Sequence, residues 1–438
     1  MRSVSLLVRR SDMSEADTHP RSPEVVGLLE GITVLDFTQY LSGPLTSMVL
    51  GFLGADVIKV EPLTGDGSRE QPPFVGPDGE GDLYGSRLAE NHMGLAFLKR
   101  NVGKRSIAID LKSDAGRLII QRLVKRSDVV LHNFRPGVVE RLGIDEASIR
   151  AINPEAIYLE ISGLGSYDHS WRGGVVDVVG QAMSGAMGIT GMPDGPPVRS
   201  AVPIADQVAG LFGAIGVLAA LLGKNLQGTP SGAVRVSMLQ ALGFLVWDEH
   251  LDTYAEAGLP ARNGNRTHRN APFDAYRCSD DRYVAIAAIG RGEWLRLRNA
   301  TGILQFQDPE LESLSGRLSA RLLIDALLSE WTARRTRDEV VDILEGHGCT
   351  VAPVYEPIDL LRDDRYRRAV LIDVLHPDGP VHAVRGRMPL NWSAQPSEEA
   401  RSAPRLGADT RDVLAVVAGF TAEEIVALER EGVVNTHV

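Results

Sequence analysis

Residues 31–61 read GITVLDFTQYLSGPLTSMVLGFLGADVIKVE, and this stretch decides the fold class. Ile32–Asp36 is a short apolar run ending in an acid, the pattern of a strand buried on both faces of a parallel sheet. Gly43-Pro44 marks a loop, Leu45–Leu53 has helical character, and Gly54 stops it. Asp56–Glu61 is a second strand. Strand, helix, strand over this length is the unit of a doubly wound α/β sheet.

Working outward, the theme recurs. Ser106–Asp110 reads as a strand, Ser113–Arg126 as a helix, Asp128–His132 as a strand, and Ile157–Ile161 as another after Asn153-Pro154. Right-handed crossovers stack such strands into one parallel sheet. No Gly-x-Gly-x-x-Gly follows the first strand, so the sheet is Rossmann-like in pattern without the nicotinamide-dinucleotide signature. From about Asn263 the character changes. Phe273–Arg277 and Tyr283–Ala288 pair around Asp280-Asp281, and helices follow at Trp294–Ala300, Leu318–Trp331 and Arg337–Glu345. Leu371–Val374 and Val381–Val384 form a hairpin around Pro377-Asp378-Gly379. Asp409–Ala418 and Thr421–Glu431 are helices, the second opened by a Thr421/Glu424 capping box. The expected organisation is a disordered tail (1–24), a large Rossmann-like domain (25–225), linker helices (226–262), a small α+β domain (263–360), and a return linker that completes the large domain (361–438). Met13 is a second candidate start.

Composition narrows the function. The chain of 438 residues is 44% hydrophobic and carries a net charge of −11, which disfavours nucleic acid as a partner. Cys278 and Cys349 are too few for a disulfide framework and fit a reducing cytoplasm. Neither lies in a metal-ligand spacing, so no metal is expected. The longest uncharged stretch, Gln207–Gly223, is closed by Lys224, falls short of a membrane span, and reads as a buried helix.

Several residues invite a chemical reading beside a structural one. Asp206, in AVPIADQVAG at the head of that helix, is either a plain N-cap or a carboxylate able to attack a thioester carbonyl, with small neighbours that admit a large ligand. Asp177, after Gly173-Gly174, is a helix-start residue or part of a close backbone approach. Lys104-Arg105 and Lys112 flank the strand 106–110, and Asn133-Phe134-Arg135 with Arg141 follows the strand 128–132. Such cations are commonly just solvated. At two neighbouring strand ends they also suit the phosphates of a nucleotide. No Ser/His/Asp arrangement and no Gly-x-Ser-x-Gly elbow is present.

Taken in order, LEGITVLDFTQYLSGP, LGADVIKVEP with GDGSR, GKRSIAIDLK, SDVVLHNFRPGVVERLG, DVVGQAMSGAMGITG, DGPPVRSAVPIADQVAG and APRLGADTRDVL resemble the class III CoA-transferases, from about Gly27 to Val434. That superfamily contains formyl-CoA transferase, carnitine CoA-transferase and α-methylacyl-CoA racemase. The resemblance implies a Rossmann-like large domain, a small α+β domain and a homodimer of two interlocked ring-like chains. It implies coenzyme A, carried as acyl-CoA, with a carboxylic acid as the other substrate. It makes Asp206 the nucleophile. It gives CoA contacts to Leu41 and Ser42, to Ile109, Asp110, Leu111 and Lys112 with Arg105 before them, to Asn133, Phe134, Arg135 and Arg141, and to Gly173, Gly174, Val175, Val176 and Asp177.

Two departures stand out. Pro62 occupies the place of an arginine that follows the second strand in the formyl enzyme, with Arg69 a candidate substitute. Leu251–Pro272 lacks that enzyme's glycine-rich lid. The racemase branch has a histidine where this chain has Val176. Racemisation needs both a base and an acid, so transfer is favoured over an isomerase or intramolecular transferase of the same fold. A non-catalytic acyl-CoA-binding protein is the remaining rival, and the presence of Asp206 speaks against it.

Overall fold

The computed structural model describes residues 27–436, apart from 80, 83–84, 86–88, 166–173, 229–231 and 393–400. The expected tail 1–24 and Gly173 lie outside the described residues. The chain divides into two compact units. The first combines residues up to Ala186 with Ser200–Glu249 and everything from Arg368 onward; the second takes Met187–Arg199 and His250–Arg367.

The first unit is built on β1 (Thr33–Asp36), α1 (Ser42–Phe52), β2 (Asp56–Glu61), α2 (Leu95–Arg100), β3 (Arg105–Ile109), α3 (Asp114–Val124), β4 (Val129–His132), β5 (Ile157–Ser162), α4 (Asp177–Met183), α5 (Ile204–Gln227), β6 (Ala233–Ser237) and α6 (Met238–Val246). The second unit holds β7 (Phe273–Arg277), β8 (Tyr283–Ala287), α7 (Arg291–Thr301), α8 (Arg321–Thr332), α9 (Arg337–Gly346) and β9 (Thr350–Pro353). Back in the first unit are β10 (Leu371–His376), β11 (Gly379–Gly386), α10 (Ala422–Arg430) and β12 (Val434–Asn435).

The central sheet has seven strands in the order β12-β3-β2-β1-β4-β5-β6. All neighbours run parallel except β12, antiparallel on the edge of β3. The inner strands are mainly apolar, as double-sided burial demands, and Leu35, Ile58, Ile107, Ile109 and Val130 form one core with α3 and α10. From β1 the chain winds outward through β2 and β3, then returns to start β4 on the other side. The β1/β4 gap is therefore a topological switch point, the place where open α/β sheets bind ligands beyond the strands' carboxyl ends.

This order corrects one expectation. β3 and β4 are not neighbours; β2 and β1 lie between them. Their basic tips stand about 14 Å apart, three inter-strand spacings.

The closing segment belongs with the first unit. Asp409 exchanges hydrogen bonds with Ser106 (its backbone N–H to Ser106 O at 2.9 Å, its carboxylate accepting from Ser106 N–H at 2.7 Å), and Gly407 N–H donates to Ser106 Oγ at 3.0 Å. The expected helix Asp409–Ala418 is instead a short α-turn, Thr410–Asp412, opening into a π-helical stretch, Val413–Val417.

α5 differs most from its sequence reading. It runs 24 residues, past Lys224 to a left-handed Gly228 cap, and by length and composition alone could cross a membrane. Its inner face, Ala209, Gly210, Gly213, Ala214 and Val217, is buried. Leu211, Ile215, Leu222 and Leu226 on its other face are exposed, as are Phe244, Leu245 and Trp247 on and beside α6. An all-round apolar helix reads as buried in sequence; here one face is left uncovered among the described residues.

Candidate active site

The loop after β1 is pinned from three sides. Asn133, just past β4, donates to Gln39 O (2.8 Å) and accepts from Gln39 N–H (2.9 Å), bridging the switch point. Tyr40 holds a left-handed backbone, φ 67°, unusual for a residue with a side chain. Its N–H reaches Asp66 Oδ1 at 3.3 Å and its carbonyl accepts from Arg100 Nη1 at 3.2 Å. Leu41 then caps α1, and Ser42, almost fully buried, opens it.

Asp206 is brought to Ser42 by close helix packing. A Cβ on Gly210 would lie 2.6 Å from Ser42 O, and one on Gly213 would lie 2.8 Å from Thr46 Oγ1. Thr46 Oγ1 donates to Gly210 O at 2.8 Å. The small residues near Asp206 thus admit α1; the expectation that they make room for a ligand is corrected at these two positions. Nor is Asp206 the N-cap. Pro203 takes that place, and Asp206 lies inside the first turn.

The capping carboxylate comes from Asp177, the first residue of α4. Its Oδ1 accepts from Ala205 N–H at 2.9 Å, and its Oδ2 accepts from Gln181 Nε2 at 2.6 Å. Gln181 is buried and also accepts from Ser200 N–H at 2.8 Å, so one amide ties α4 to the approach to α5. Other N–H groups of the first turn are engaged as well, Ile204 with Val202 O and Gln207 with Pro203 O. The Ile204, Ala205 and Gln207 N–H groups are therefore already engaged and are not free to serve as an oxyanion cradle.

Electrostatically the site favours a carboxylate of raised proton affinity. Burial lifts the Asp206 carboxyl and the nearby Asp177 carboxylate adds to the rise; a hydrogen bond from Ser42 and the Arg100 charge oppose it, leaving a pKa of about 6. At pH 7 the carboxylate still dominates about ten to one, so Asp206 is available there in its ionised form.

Under the loop lies a buried charge cluster. Lys59 pairs with Asp66 (2.9 Å), Arg69 with Glu61 (2.8 Å) and Lys104 with Asp36 (3.1 Å), all nearly sealed from water. Burial alone would raise Asp36, Glu61 and Asp66, but their cations prevail and hold all three carboxyls low. Lys104 also reaches Ser47 Oγ, Asn101 Oδ1 and Pro44 O, and burial brings it down to about 8. Arg69 stacks on Phe97 and donates to Pro404 O. It is fully engaged, which corrects the idea that it substitutes for the contact missing at Pro62.

The remaining candidates separate by position. Arg105 lies at the amino end of β3, away from Asp206, paired with Asp56 and Asp412. Ile109, Asp110, Leu111 and Lys112 lie at the carboxyl end of β3, with Lys112 exposed. Phe134, Arg135 and Arg141 follow β4; Arg135 and Arg141 are exposed. Arg135 comes against Gly174, where an added Cβ would lie 2.8 Å from Nη2. Val175 and exposed Val176 lead into α4. Lys112, Arg135 and Arg141 have no carboxylate partner among the described residues. His132 is structural: Phe134 N–H donates to its Nδ1, its Nε2 lies 2.7 Å from Tyr158 Oη, and burial holds its pKa near 4.

Sequence reasoning missed Gln181 and Arg100. Gln181 was findable, since it lies four residues after Asp177 on one helix face. Arg100 sits in LKRNVGKR and looks like any solvated cation.

The profile of CoA-transferase family III matches residues 29–410. The chain is 32% identical to a formyl-CoA:oxalate CoA-transferase of Streptomyces avermitilis, covering 93% of this chain and 99% of that one. It is 32% identical to a succinyl-CoA:mesaconate CoA-transferase of Haloarcula hispanica, over 80% of this chain and 87% of that one. A crystal structure of a CAIB/BAIF family protein from Brucella suis superposes with a TM-score of 0.75 at 30% identity, covering 89% of this chain and 99% of the other. With its parallel sheet, its switch-point loop and a carboxylate held at the head of α5, the chain belongs to CoA-transferase family III.

Proposed function

We propose that this enzyme moves CoA from an acyl-CoA to a carboxylic acid through covalent intermediates on Asp206. Asp206 attacks the donor thioester carbonyl; the C–S bond breaks, giving an aspartyl mixed anhydride and CoA thiolate. The thiolate attacks the aspartyl carbonyl, releasing the donor acid and leaving an aspartyl-CoA thioester. An acceptor carboxylate attacks that thioester to form a second anhydride. The thiolate then takes the acceptor acyl group and frees Asp206. Two covalent stages conserve the thioester energy, and no electron changes hands. The observation that carries this reading is the half-buried Asp206, ionised at neutral pH and held against Ser42 at the switch point.

Coenzyme A is proposed to lie along the carboxyl ends of the strands. Leu41, Ser42 and Asn133–Arg135 meet it at the switch point, Gly174–Asp177 line its approach, and Arg135, Arg141 and Lys112 serve its phosphates. Their exposure without carboxylate partners among the described residues supports this. Asp177 contributes by holding α5, since both its oxygens are engaged. Val176 in place of a histidine disfavours racemisation. A second copy of the chain is proposed to cover the exposed face of α5 and α6 in an interlocked homodimer, and the free thiols Cys278 and Cys349 fit a cytoplasmic setting.

The test is transfer by purified Asp206→Ala and Asp206→Asn enzymes. Both should fall below about a thousandth of wild type with unchanged melting. Turnover above that level excludes the covalent route. Deuterium incorporation at the α-carbon of a 2-methylacyl-CoA in heavy water would restore the racemase reading.

A further inference from the structure

We infer that Arg100 receives the reacting carboxylate of the acid substrate and holds it against the carbonyl carbon formed on Asp206. The inference rests on the transferase reading and adds a residue to it. An acid that attacks an aspartyl-CoA thioester arrives as an anion, beside Asp177, whose negative charge is already felt at Asp206. That approach needs a cation close to, but not bonded to, Asp206.

The cations of the region can be sorted. Lys59, Arg69 and Lys104 are buried and paired under the loop. Arg105 is paired at the opposite end of the sheet. Lys112, Arg135 and Arg141 stand exposed beyond the tips of β3 and β4. Arg100, the last residue of α2, is the cation whose charge acts on Asp206. It is half-buried, and among the described residues it forms no ion pair.

Its geometry suits a receiving role. One donor, Nη1, is fixed on Tyr40 O at 3.2 Å. Tyr40 in turn is held by Asp66, and Ser42, two residues on, bonds Asp206. The guanidinium is therefore anchored to the same short loop as the nucleophile's partner. A guanidinium carries five N–H donors in a plane matched to a carboxylate, and one is engaged here. Asp206 and Asp66 act on this half-buried guanidinium only at a distance, and an incoming carboxylate supplies the direct partner it lacks among the described residues.

The competing view is that Arg100 only braces Tyr40. Glutamine at this position keeps a donor for the Tyr40 carbonyl and removes the charge; lysine keeps the charge. Wild type, Arg100→Gln and Arg100→Lys are assayed with succinyl-CoA as donor and oxalate, succinate (isotopically labelled), glutarate and mesaconate as acceptors. The CoA adduct on Asp206 is read separately by mass spectrometry from succinyl-CoA alone. Arg100→Gln should raise KM for the acid about tenfold or more. KM for succinyl-CoA should stay within about twofold, adduct yield should be retained, and Arg100→Lys should recover most of the loss. An unchanged KM for the acid, a parallel rise in both KM values, or lysine no better than glutamine overturns the inference. Absence of any Asp206 adduct in wild type that completes transfer from succinyl-CoA overturns the covalent route itself, independently of Arg100.

Discussion

Lys59, Arg69 and Lys104 lie beneath the loop after β1, each within 3.1 Å of a carboxylate and nearly sealed from water. Lys112, Arg135 and Arg141 stand exposed at the tips of β3 and β4 with no carboxylate partner among the described residues. Both groups are basic, and both lie in or beside strand-end motifs. The first group is neutralised internally and shapes the loop that presents Ser42. The second keeps its charge available. A buried cation is tolerated only with its partner in place, whereas an exposed one is free to meet a phosphate. A basic residue near a sheet end therefore means little until its carboxylates have been counted.

The contrast can be broken by substitution. Lys59→Met strips Asp66 of its partner inside the protein and should lower unfolding free energy by about 3–5 kcal/mol in a denaturant titration. A loss under about 1 kcal/mol would mean the cluster is wet or plastic. Gly210→Ala, placing a methyl 2.6 Å from Ser42 O, should cost about 1–3 kcal/mol and push Asp206 away from Ser42, lowering turnover in step. Arg141→Ala or Arg135→Ala should leave stability unchanged and weaken CoA binding by about 1–3 kcal/mol, measured by calorimetry. The loss at one of them should shrink for a CoA analogue without its 3′-phosphate. Unchanged affinity in both would move the cofactor elsewhere. Arg105→Ala, at the far end of the sheet in a partly exposed pair, should alter CoA affinity by less than about 0.5 kcal/mol.

pH sharpens the other side of the comparison. On the proposed route Asp206 attacks as a carboxylate, and its pKa is raised, so the first half-reaction should fail as pH drops through about 6. Asp177→Asn removes the like charge and should move that acid limb to lower pH, even if the weakened cap reduces the maximum rate. A limb that stays in place would assign Asp177 a purely structural role.

Much of the fold was legible because local rules suffice for it. The β1–α1–β2 unit, the helix after Ser113 and the Thr421/Glu424 box follow from short apolar runs, glycine stops and a hydroxyl–carboxylate cap. What escaped depends on distant partners. Strand order separated β3 from β4. The cap of α5 came from Asp177, far upstream in sequence, and so displaced Asp206 from that role. Lys104 looked like a solvated cation because Asp36 reaches it only through the sheet, and Arg69 looked free for a ligand because its pairing with Glu61 depends on how the loop after β2 folds back. The exposed face of α5 was hidden by an apolar pattern that is the same on every side.

The central claim is that Asp206 carries the CoA. Incubating the enzyme with an acyl-CoA donor and no acceptor, quenching in acid and mapping peptides by mass spectrometry tests it directly. The account predicts a CoA-sized mass increment on the peptide containing Asp206, discharged by hydroxylamine to a hydroxamate at that residue and absent from Asp206→Asn. An unmodified Asp206 under conditions where the same enzyme completes transfer, or an adduct on any other residue, would contradict it.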